Sequence, residues 1–227
     1  MTARPRGFDR MARWCRLLEF LAFGADLEAA RFEYLGRLSG CRDIVLLGEG
    51  DGRCAARVAA AAPQARILCV DSSPGMIGRA QRRIADLGAS DRVRFACADA
   101  RTFDLGQGVF DGAATLFFLD CFSEADAASL VGRVTASLRP GAPWLFSDFV
   151  LPAGGLRRLR AGAWLRVLYA CFRWETGIGA RALPPSEELL AASGWVPAAS
   201  RERQLGLLRS SVYVRAPAPT GARGASP

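Results

Sequence analysis

Apolar residues along the chain follow two periodicities, one typical of amphipathic helices and one typical of buried strands. An amphipathic helix is predicted near the N-terminus, where the arginines lie off the apolar face. That face consists of Met11, Trp14, Cys15, Leu18, Leu21 and Ala22, which recur at spacings of three and four residues. A second helix is predicted from Leu27 to Leu38, before the break at Ser39-Gly40.

Five short apolar runs then alternate with helical stretches. The predicted strands are Ile44–Leu47, Arg66–Asp71, Arg92–Cys97, Phe110–Leu119 and Pro143–Asp148. Helices are predicted after Gly52, from Pro74 to Leu87 and from Ser123 to Leu138, the last with Ser123 and Asp126 as a capping box. This alternation favours a parallel sheet that is covered on both faces and binds ligands at the carboxyl ends of its strands.

The C-terminal third departs from this alternation. Residues Leu156–Trp174 are predicted to form an amphipathic helix with arginines and several aromatic residues. Such a helix suits a lid over a pocket, a core helix or a helix on a membrane surface. A short helix capped by Ser186 follows, and Trp195–Arg203 and Leu207–Arg215 are predicted to pair as an antiparallel hairpin.

These elements predict an α/β fold. We expect a Rossmann-like, doubly wound and mostly parallel sheet of seven strands, with an antiparallel edge hairpin and with helical N-terminal and lid additions. Residues 1–40 are expected to form an N-terminal helical cap and residues 41–215 the main domain, with a lid helix at 155–175. The Pro- and Gly-rich residues 216–227 are expected to be a disordered tail.

The composition excludes several kinds of catalytic chemistry. The chain has 30 basic residues and no His, and every basic residue is Arg. Without Lys or His there is no Schiff base, no Ser-His or Cys-His pair and no imidazole ligand, and no metal site is expected. The net charge of +8 comes from scattered arginines, so we do not expect a nucleic-acid partner.

The cysteines and the length of the apolar runs bear on the compartment. None of the seven cysteines forms a CxxC pair, and most lie within apolar runs, which predicts buried free thiols. No apolar run reaches the length of a membrane-spanning helix. The sequence therefore favours a cytoplasmic protein.

The most distinctive stretch follows the first predicted strand. Glycines occupy every second position in Gly48-Glu49-Gly50-Asp51-Gly52, between an apolar strand and an Ala-rich helix. Such glycines adopt backbone angles closed to other residues and have no Cβ, so a ligand can lie against the main chain. The alternative is that they only tighten a turn.

Four motifs in order resemble those of the class I S-adenosylmethionine-dependent methyltransferases, loosely the branch that acts in quinone biosynthesis and on small molecules. They are the glycine loop, the acidic strand end at Asp71, the segment Ala98-Asp99-Ala100 and the strand start Phe110-Asp111. The resemblance covers nearly half of the chain. It implies S-adenosylmethionine as cofactor and methyl transfer to carbon or oxygen of a small molecule by in-line displacement.

The resemblance also implies roles for single residues. Asp71 would accept hydrogen bonds from both ribose hydroxyls, Asp99 would accept one from the adenine amino group, and Met76 would pack on the adenine ring. The glycine loop would lie against the methionine part. The predicted cofactor-binding residues are Gly48, Glu49, Gly50, Gly52, Asp71, Ser72, Met76, Asp99, Ala100 and Phe117. Taken singly, Asp71 could instead cap a helix and Asp99 could serve a turn.

Two positions depart from the family's pattern. Leu46 stands where the family often has an acidic residue that binds the methionine amino group, and Asp120-Cys121 stands where the quinone branch often has a His pair. Where the acceptor must lose a proton, Asp120 is the predicted general base, with a role in helix entry as the alternative. If the helix at 156–174 is a lid, Tyr169 and Arg173 would line the acceptor pocket.

Two other functions stay open at this point. An NAD(P)-dependent oxidoreductase would use Gly50-Asp51-Gly52-Arg53-Cys54-Ala55 as its fingerprint, although Arg53 is too bulky for the third fingerprint position counted from Gly48. A catalytically inactive cofactor-binding domain acting through a partner would explain the lack of His. The apolar segment 156–174 favours a hydrophobic small-molecule acceptor and allows a weak contact with a membrane surface.

Overall fold

The structure is a computed structural model that describes residues 24–152, 154–156, 158–160, 162–163 and 183–215. Several features predicted from the sequence lie outside these residues: the first amphipathic helix face, the part of the lid helix at 164–175 with Tyr169 and Arg173, and the C-terminal tail.

Within the described residues, seven strands form one sheet in the order β3-β2-β1-β4-β5-β7-β6. The strands are β1 (Asp43–Leu47), β2 (Arg66–Asp71), β3 (Val93–Cys97), β4 (Gly112–Leu116), β5 (Trp144–Phe149), β6 (Trp195–Arg203) and β7 (Leu208–Arg215). The first five are parallel to one another, and β7 pairs antiparallel with both β5 and β6. The predicted doubly wound sheet with an antiparallel edge hairpin is confirmed.

The fourth strand is shorter than predicted. It was expected from Phe110 to Leu119, but Phe110 makes only an isolated bridge to Leu138 and the strand ends at Leu116. The reason is Phe117, whose φ of 56° lies in the left-handed region and turns the chain out of the strand.

Helices cover the sheet on both faces. The helices are α1 (24–32), α2 (Arg53–Ala61), α3 (Pro74–Asp86), α4 (Glu124–Ser137), α5 (the described residues of 155–163) and α6 (Ser186–Ala192). Short 3₁₀ turns lie at Leu35–Leu38, Leu119–Cys121 and Gln204–Gly206. The helix predicted over Leu27–Leu38 is therefore two pieces, α1 and the first of these 3₁₀ turns.

Local sequence signals place the helix starts. Pro74 is the first residue of α3, and the side chain of Ser73 accepts a hydrogen bond from Met76 N–H. At α4, Ser123 Oγ accepts a hydrogen bond from Asp126 N–H at 3.2 Å and its hydroxyl donates to the Asp126 carboxylate, so the predicted pair is confirmed. The prediction for Ser186 is wrong by one position, because Pro185 occupies the cap and Ser186 begins α6.

The core lies on both faces of the sheet, as the alternation along β1 shows. Ile44 and Leu46 belong to the cluster beneath α2, whereas Val45 and Leu47 belong to the cluster beneath α4. All four are buried because β1 lies in the middle of a sheet that helices cover on both faces. The alternation of faces explains why the strand reads as a continuous apolar run.

One carbonyl of helix α1 accepts hydrogen bonds from two strands of the sheet. The oxygen of Ala30 accepts hydrogen bonds from the hydroxyls of Ser147 on β5 and Ser210 on β7, at 2.9 and 2.7 Å. The last carbonyls of a helix have no partner within it, so these buried hydroxyls satisfy one of them. The following residue, Arg31, is thereby placed near the carboxyl end of β5.

The described cysteines are free thiols, three of them buried. Cys97 is exposed, at the end of the half-exposed strand β3, which corrects the expectation of burial for that residue. Over the described residues, no helix is both long and apolar enough to cross a membrane. In α5, Leu156 and Leu159 are 84% and 72% exposed, so these two side chains are not part of the core.

Candidate functional site

The strand order reverses between β1 and β4, where one half of the sheet proceeds toward β3 and the other toward β6. Open α/β sheets bind ligands in the crevice that such a reversal leaves at the carboxyl ends of the strands. The loop Gly48–Gly52 begins at that end of β1, and Gly48 N–H donates to the Val70 carbonyl of β2 at 2.9 Å. Most of the predicted site residues lie along this edge.

The three glycines of the loop, which all have positive φ, serve different purposes. At Gly48 a Cβ would overlap the ring of Phe118, and at Gly52 it would lie 2.6 Å from Ala80 Cα of α3. At Gly50, whose φ is +69°, nothing among the described residues lies within 4 Å of the Cβ position. The absence of a Cβ at Gly48 and Gly52 thus makes room for neighbouring residues of the protein itself. At Gly50 it leaves the main chain accessible to a ligand.

Asp71, at the end of β2, is the residue that ties the loop to the sheet edge. Its Oδ2 accepts a hydrogen bond from Gly50 N–H at 2.9 Å, and its Oδ1 accepts one from Ser73 N–H at 2.8 Å. Ser73 rather than Asp71 caps α3. A carboxylate offers about four acceptor sites, and these two backbone bonds use two of them.

Glu49 points away from the loop surface and into the protein. Its carboxyl is 5% exposed and accepts a hydrogen bond from Ala55 N–H in the first turn of α2 at 2.9 Å. Burial raises the pKa of Glu49 to about 7, while the Ala55 hydrogen bond and the Arg31 cation oppose that rise. The residue lines a small cavity with Arg31, Gly48 and Cys54.

Asp99 follows β3, and its carboxylate forms an ion pair with Arg101, a residue that the sequence analysis did not single out. The guanidinium of Arg101 donates to both carboxylate oxygens, with Nη2 2.6 Å from Oδ2. This hydrogen bond holds the pKa of Asp99 below its usual value. The side chain is partly exposed, and Ala100 beside it is buried.

Two further predicted residues lie at the start of α3. Ser72 is exposed in the turn before the helix, and Met76 is 38% exposed in its first turn. An exposed large apolar side chain beside the open loop is available to a ligand.

Phe117 and Arg31 contact each other beside the glycine loop. The guanidinium carbon of Arg31 lies 5.3 Å from the centre of the Phe117 ring, and that ring makes an edge contact with Phe149 at 5.4 Å. Phe118 packs on Gly48 and, at 4.9 Å, against Phe122. Sequence analysis missed Arg31, because its position depends on how α1 docks at Ala30.

Asp120 lies in the 3₁₀ turn after β4 and contacts a second acid, Asp148, near the end of β5. Asp120 N–H donates to Asp148 Oδ2 at 3.1 Å, and the two carboxyl groups are hydrogen-bonded to each other. They are 6% and 1% exposed. Burial and the proximity of Asp120 raise the pKa of Asp148 well above its usual value. The signal for Asp148 in the sequence is a carboxylate inside the apolar run Trp144–Phe149.

Asp111, which the family resemblance included, lies at the opposite edge of the sheet. Its carboxylate accepts hydrogen bonds from Arg42 and Asp43 N–H at 2.8 to 2.9 Å, which joins the start of β4 to the start of β1. Asp111 therefore stabilises the pairing of β1 with β4 and lies away from the crevice. No group of acids and thiols suited to a metal occurs among the described residues.

Comparisons with known proteins agree with this arrangement. Residues 44–141, somewhat less than half of the chain, match the family model for the methyltransferase domain. No curated protein matches the sequence.

Several solved structures are similar to the chain. The mitomycin 7-O-methyltransferase MmcR is 20% identical with a TM-score of 0.64, over 92% of this chain and 60% of that one. The O-methyltransferase NcsB1 from neocarzinostatin biosynthesis, solved with S-adenosylmethionine and 2-hydroxy-5-methyl naphthoic acid, is 20% identical with a TM-score of 0.60, over 91% and 56%. The N-methyltransferase NodS from Bradyrhizobium japonicum WM9 is 17% identical with a TM-score of 0.56, over 83% and 96%.

These similarities establish the fold. The chain spans about 60% of the length of the two O-methyltransferases.

Proposed function

We propose that the chain is a class I methyltransferase and that it transfers the methyl group of S-adenosylmethionine to a small apolar acceptor. The observation that carries this proposal is the pairing of Asp71 with Gly50. It sets a carboxylate beside an open stretch of backbone at the point where the strand order reverses. In this fold such a place receives a nucleoside with its ribose on the acid.

The residues at this edge fit S-adenosylmethionine. The unused acceptor sites of Asp71 suit the ribose hydroxyls. Because Gly50 has no Cβ and no described neighbour there, part of the cofactor could lie directly against its main chain. Met76, which is partly exposed in the first turn of α3, and the Asp99-Ala100 segment are proposed to hold the adenine. When bound, S-adenosylmethionine supplies a methyl group on a positively charged sulfur, which is transferred by in-line displacement.

Arg31 is proposed to pair with the carboxylate of the methionine part. It lines the same cavity as Gly48 and Glu49, at the carboxyl end of β1. The side chain of Glu49 is turned toward α2, and among the described residues that line this cavity Arg31 is the cation. The predicted cap at 1–40 would then contribute to binding through α1, and the domain proper would extend over 41–215.

Asp120 is proposed as the base that takes a proton from the acceptor. It lies beside aromatic residues that suit an apolar acceptor: Phe117, Phe118, Phe122 and Phe149. Methylation of a hydroxyl releases a proton that a base can accept, and we propose oxygen as the methylated atom. The names of MmcR and NcsB1, both O-methyltransferases, support the same choice.

The test is an assay of purified protein with S-adenosylmethionine and hydroxylated aromatic compounds, starting from 2-hydroxy-5-methyl naphthoic acid, the compound bound in the NcsB1 structure. We expect a methylated product and S-adenosylhomocysteine by mass spectrometry, and turnover about 10²- to 10⁴-fold lower in Asp120→Asn. Full turnover in that variant would exclude Asp120 as the base. Binding of S-adenosylmethionine without turnover across a broad panel would favour an inactive domain that acts through a partner.

A further inference from the structure

Two carboxyl groups lie in hydrogen-bond contact inside the protein, and the proposed function uses only one of them. Asp120 follows β4, and Asp148 is the next to last residue of β5. The strands are parallel neighbours, with Leu116 beside Ser147, so both acids are brought to the same carboxyl edge of the sheet. This is the edge that holds Asp71 and Gly50.

We propose that Asp148 is a positioning residue that shares a single proton with Asp120 and holds the Asp120 carboxyl as the base of the methyl transfer. This inference rests on the proposed function. It assigns a role to a side chain that neither the glycine loop nor the family motifs include.

Backbone hydrogen bonds anchor the carboxyl group of Asp148. Asp148 accepts two backbone hydrogen bonds, from Asp120 N–H at 3.1 Å and from Phe149 N–H at 3.0 Å. Its side chain is therefore anchored in the strand, and the carboxyl of Asp120 is oriented by its hydrogen bond to that anchored group. A base held in one orientation loses little entropy when it accepts a proton.

Charge requires a proton between the two groups. Two ionised carboxylates in contact repel each other, and burial removes the water that would screen them. Several groups of the described residues face the pair. The Cys121 thiol donates to Asp120 Oδ1 at 3.5 Å, and Phe149 N–H donates to Asp148 Oδ1 at 3.0 Å. Burial raises the pKa of Asp120, and the Arg31 cation of α1 opposes that rise. The pair with one proton carries a single negative charge, which the Arg31 cation can balance.

A pair with one proton can accept a second. In the proposed reaction the acceptor oxygen bonds to the methyl carbon as the carbon–sulfur bond breaks and leaves its electron pair on sulfur. The hydroxyl proton moves to Asp120, so the pair then holds two protons and no charge. One proton returns to solvent before the next turnover.

The experiment is a ¹³C NMR titration of the side-chain carboxyls in protein labelled at aspartate, from about pH 4 to about pH 10. The wild-type protein should show two carboxyl signals that respond together in two well-separated steps, because interacting acids titrate as a pair. In Asp148→Asn, whose amide still donates to Asp120, the Asp120 signal should titrate in one step. In Asp120→Asn the Asp148 signal should do the same.

A matched control is Asp111→Asn, which removes a carboxylate bonded to two backbone N–H groups at the opposite edge of the sheet. It should leave both steps of the pair unchanged. Two ionised carboxyls at neutral pH in the wild-type protein, or an Asp120 signal that titrates alike with and without Asp148, would overturn the proposal. The titration needs neither S-adenosylmethionine nor an acceptor, so its result is independent of the proposed methyl transfer.

Discussion

Gly50 N–H donates a hydrogen bond of 2.9 Å to the carboxylate of Asp71, and this contact joins the loop after β1 to the end of β2. The two residues are 21 positions apart in sequence, yet neighbouring parallel strands bring them together. The bond holds the acid at the rim of the crevice with part of its acceptor capacity unused. The proposed cofactor site depends on this relationship, and the predictions below probe its surroundings.

Gly48 and Gly50 should respond differently to alanine. Both have positive φ, but only at Gly48 does the new methyl group overlap a neighbour, the ring of Phe118. We expect Gly48→Ala to lower the free energy of unfolding by about 2–4 kcal/mol, from backbone strain plus overpacking. Gly50→Ala should cost about 1–2 kcal/mol, from strain alone. Urea denaturation of both variants measures the difference, and equal losses would contradict the assigned roles.

Glu49 should make stability fall as the pH rises. Its pKa is about 7 in the folded protein against 4.5 as the reference value, so the folded state binds the proton more tightly. The cost of ionising this buried acid appears between about pH 4.5 and pH 7 and reaches about 3 kcal/mol above that range.

Glu49→Gln keeps an acceptor for Ala55 N–H and removes the titration. We therefore expect this variant to match the wild type near about pH 4 and to be more stable by about 3 kcal/mol near about pH 8. Glu28→Gln, at an exposed ion pair with Arg57, is the control and should change stability by less than about 0.5 kcal/mol at either pH. A pH-independent difference between Glu49→Gln and wild type would refute the assigned pKa.

Ser147 and Ser210 should be energetically coupled, because their hydroxyls donate to the same carbonyl of Ala30. Either single alanine variant leaves one donor in place and should cost about 1 kcal/mol. The double variant leaves a buried carbonyl without these donors, so its loss should exceed the sum of the two single losses by about 1 kcal/mol. Strict additivity in this double-mutant cycle would argue against a shared acceptor.

Arg31 should matter for ligands that carry the methionine carboxylate. Arg31→Ala is expected to weaken binding of S-adenosylhomocysteine about tenfold to a hundredfold, the usual worth of a hydrogen bond to a charged group. Binding of 5′-methylthioadenosine, which lacks the carboxylate, should change little and serves as the internal control. Calorimetry on both ligands separates the outcomes, and equal losses would show that Arg31 acts only on the structure of the site.

The sequence predicts the parts of this protein that local pattern determines. Continuous apolar runs mark strands buried on both faces, and Pro74 and Ser123 mark helix starts, so the order of elements and the edge bearing Asp71 follow directly. The end of β4 was misplaced because Phe117 and Phe118 continue the apolar run, although Phe117 leaves the strand. Sequence alone does not show that angle.

Long-range contacts account for what the sequence did not show. Arg31 joins the site because the Ala30 carbonyl docks on Ser147 and Ser210, far along the chain. Asp148 acquires its partner only when β4 and β5 lie side by side. Glu49 was expected at the ligand, and its contact with Ala55 depends on how the loop turns into α2.

The central claim is that the crevice at Asp71 binds S-adenosylmethionine, and calorimetric titration tests it most directly. The protein and its Asp71→Ala variant are titrated with S-adenosylmethionine, S-adenosylhomocysteine and NADH. We predict binding of both adenosyl ligands to the wild type, at least about a tenfold loss in the variant, and no binding of NADH. Binding of NADH alone, or adenosyl binding unaffected by the loss of Asp71, would contradict the account.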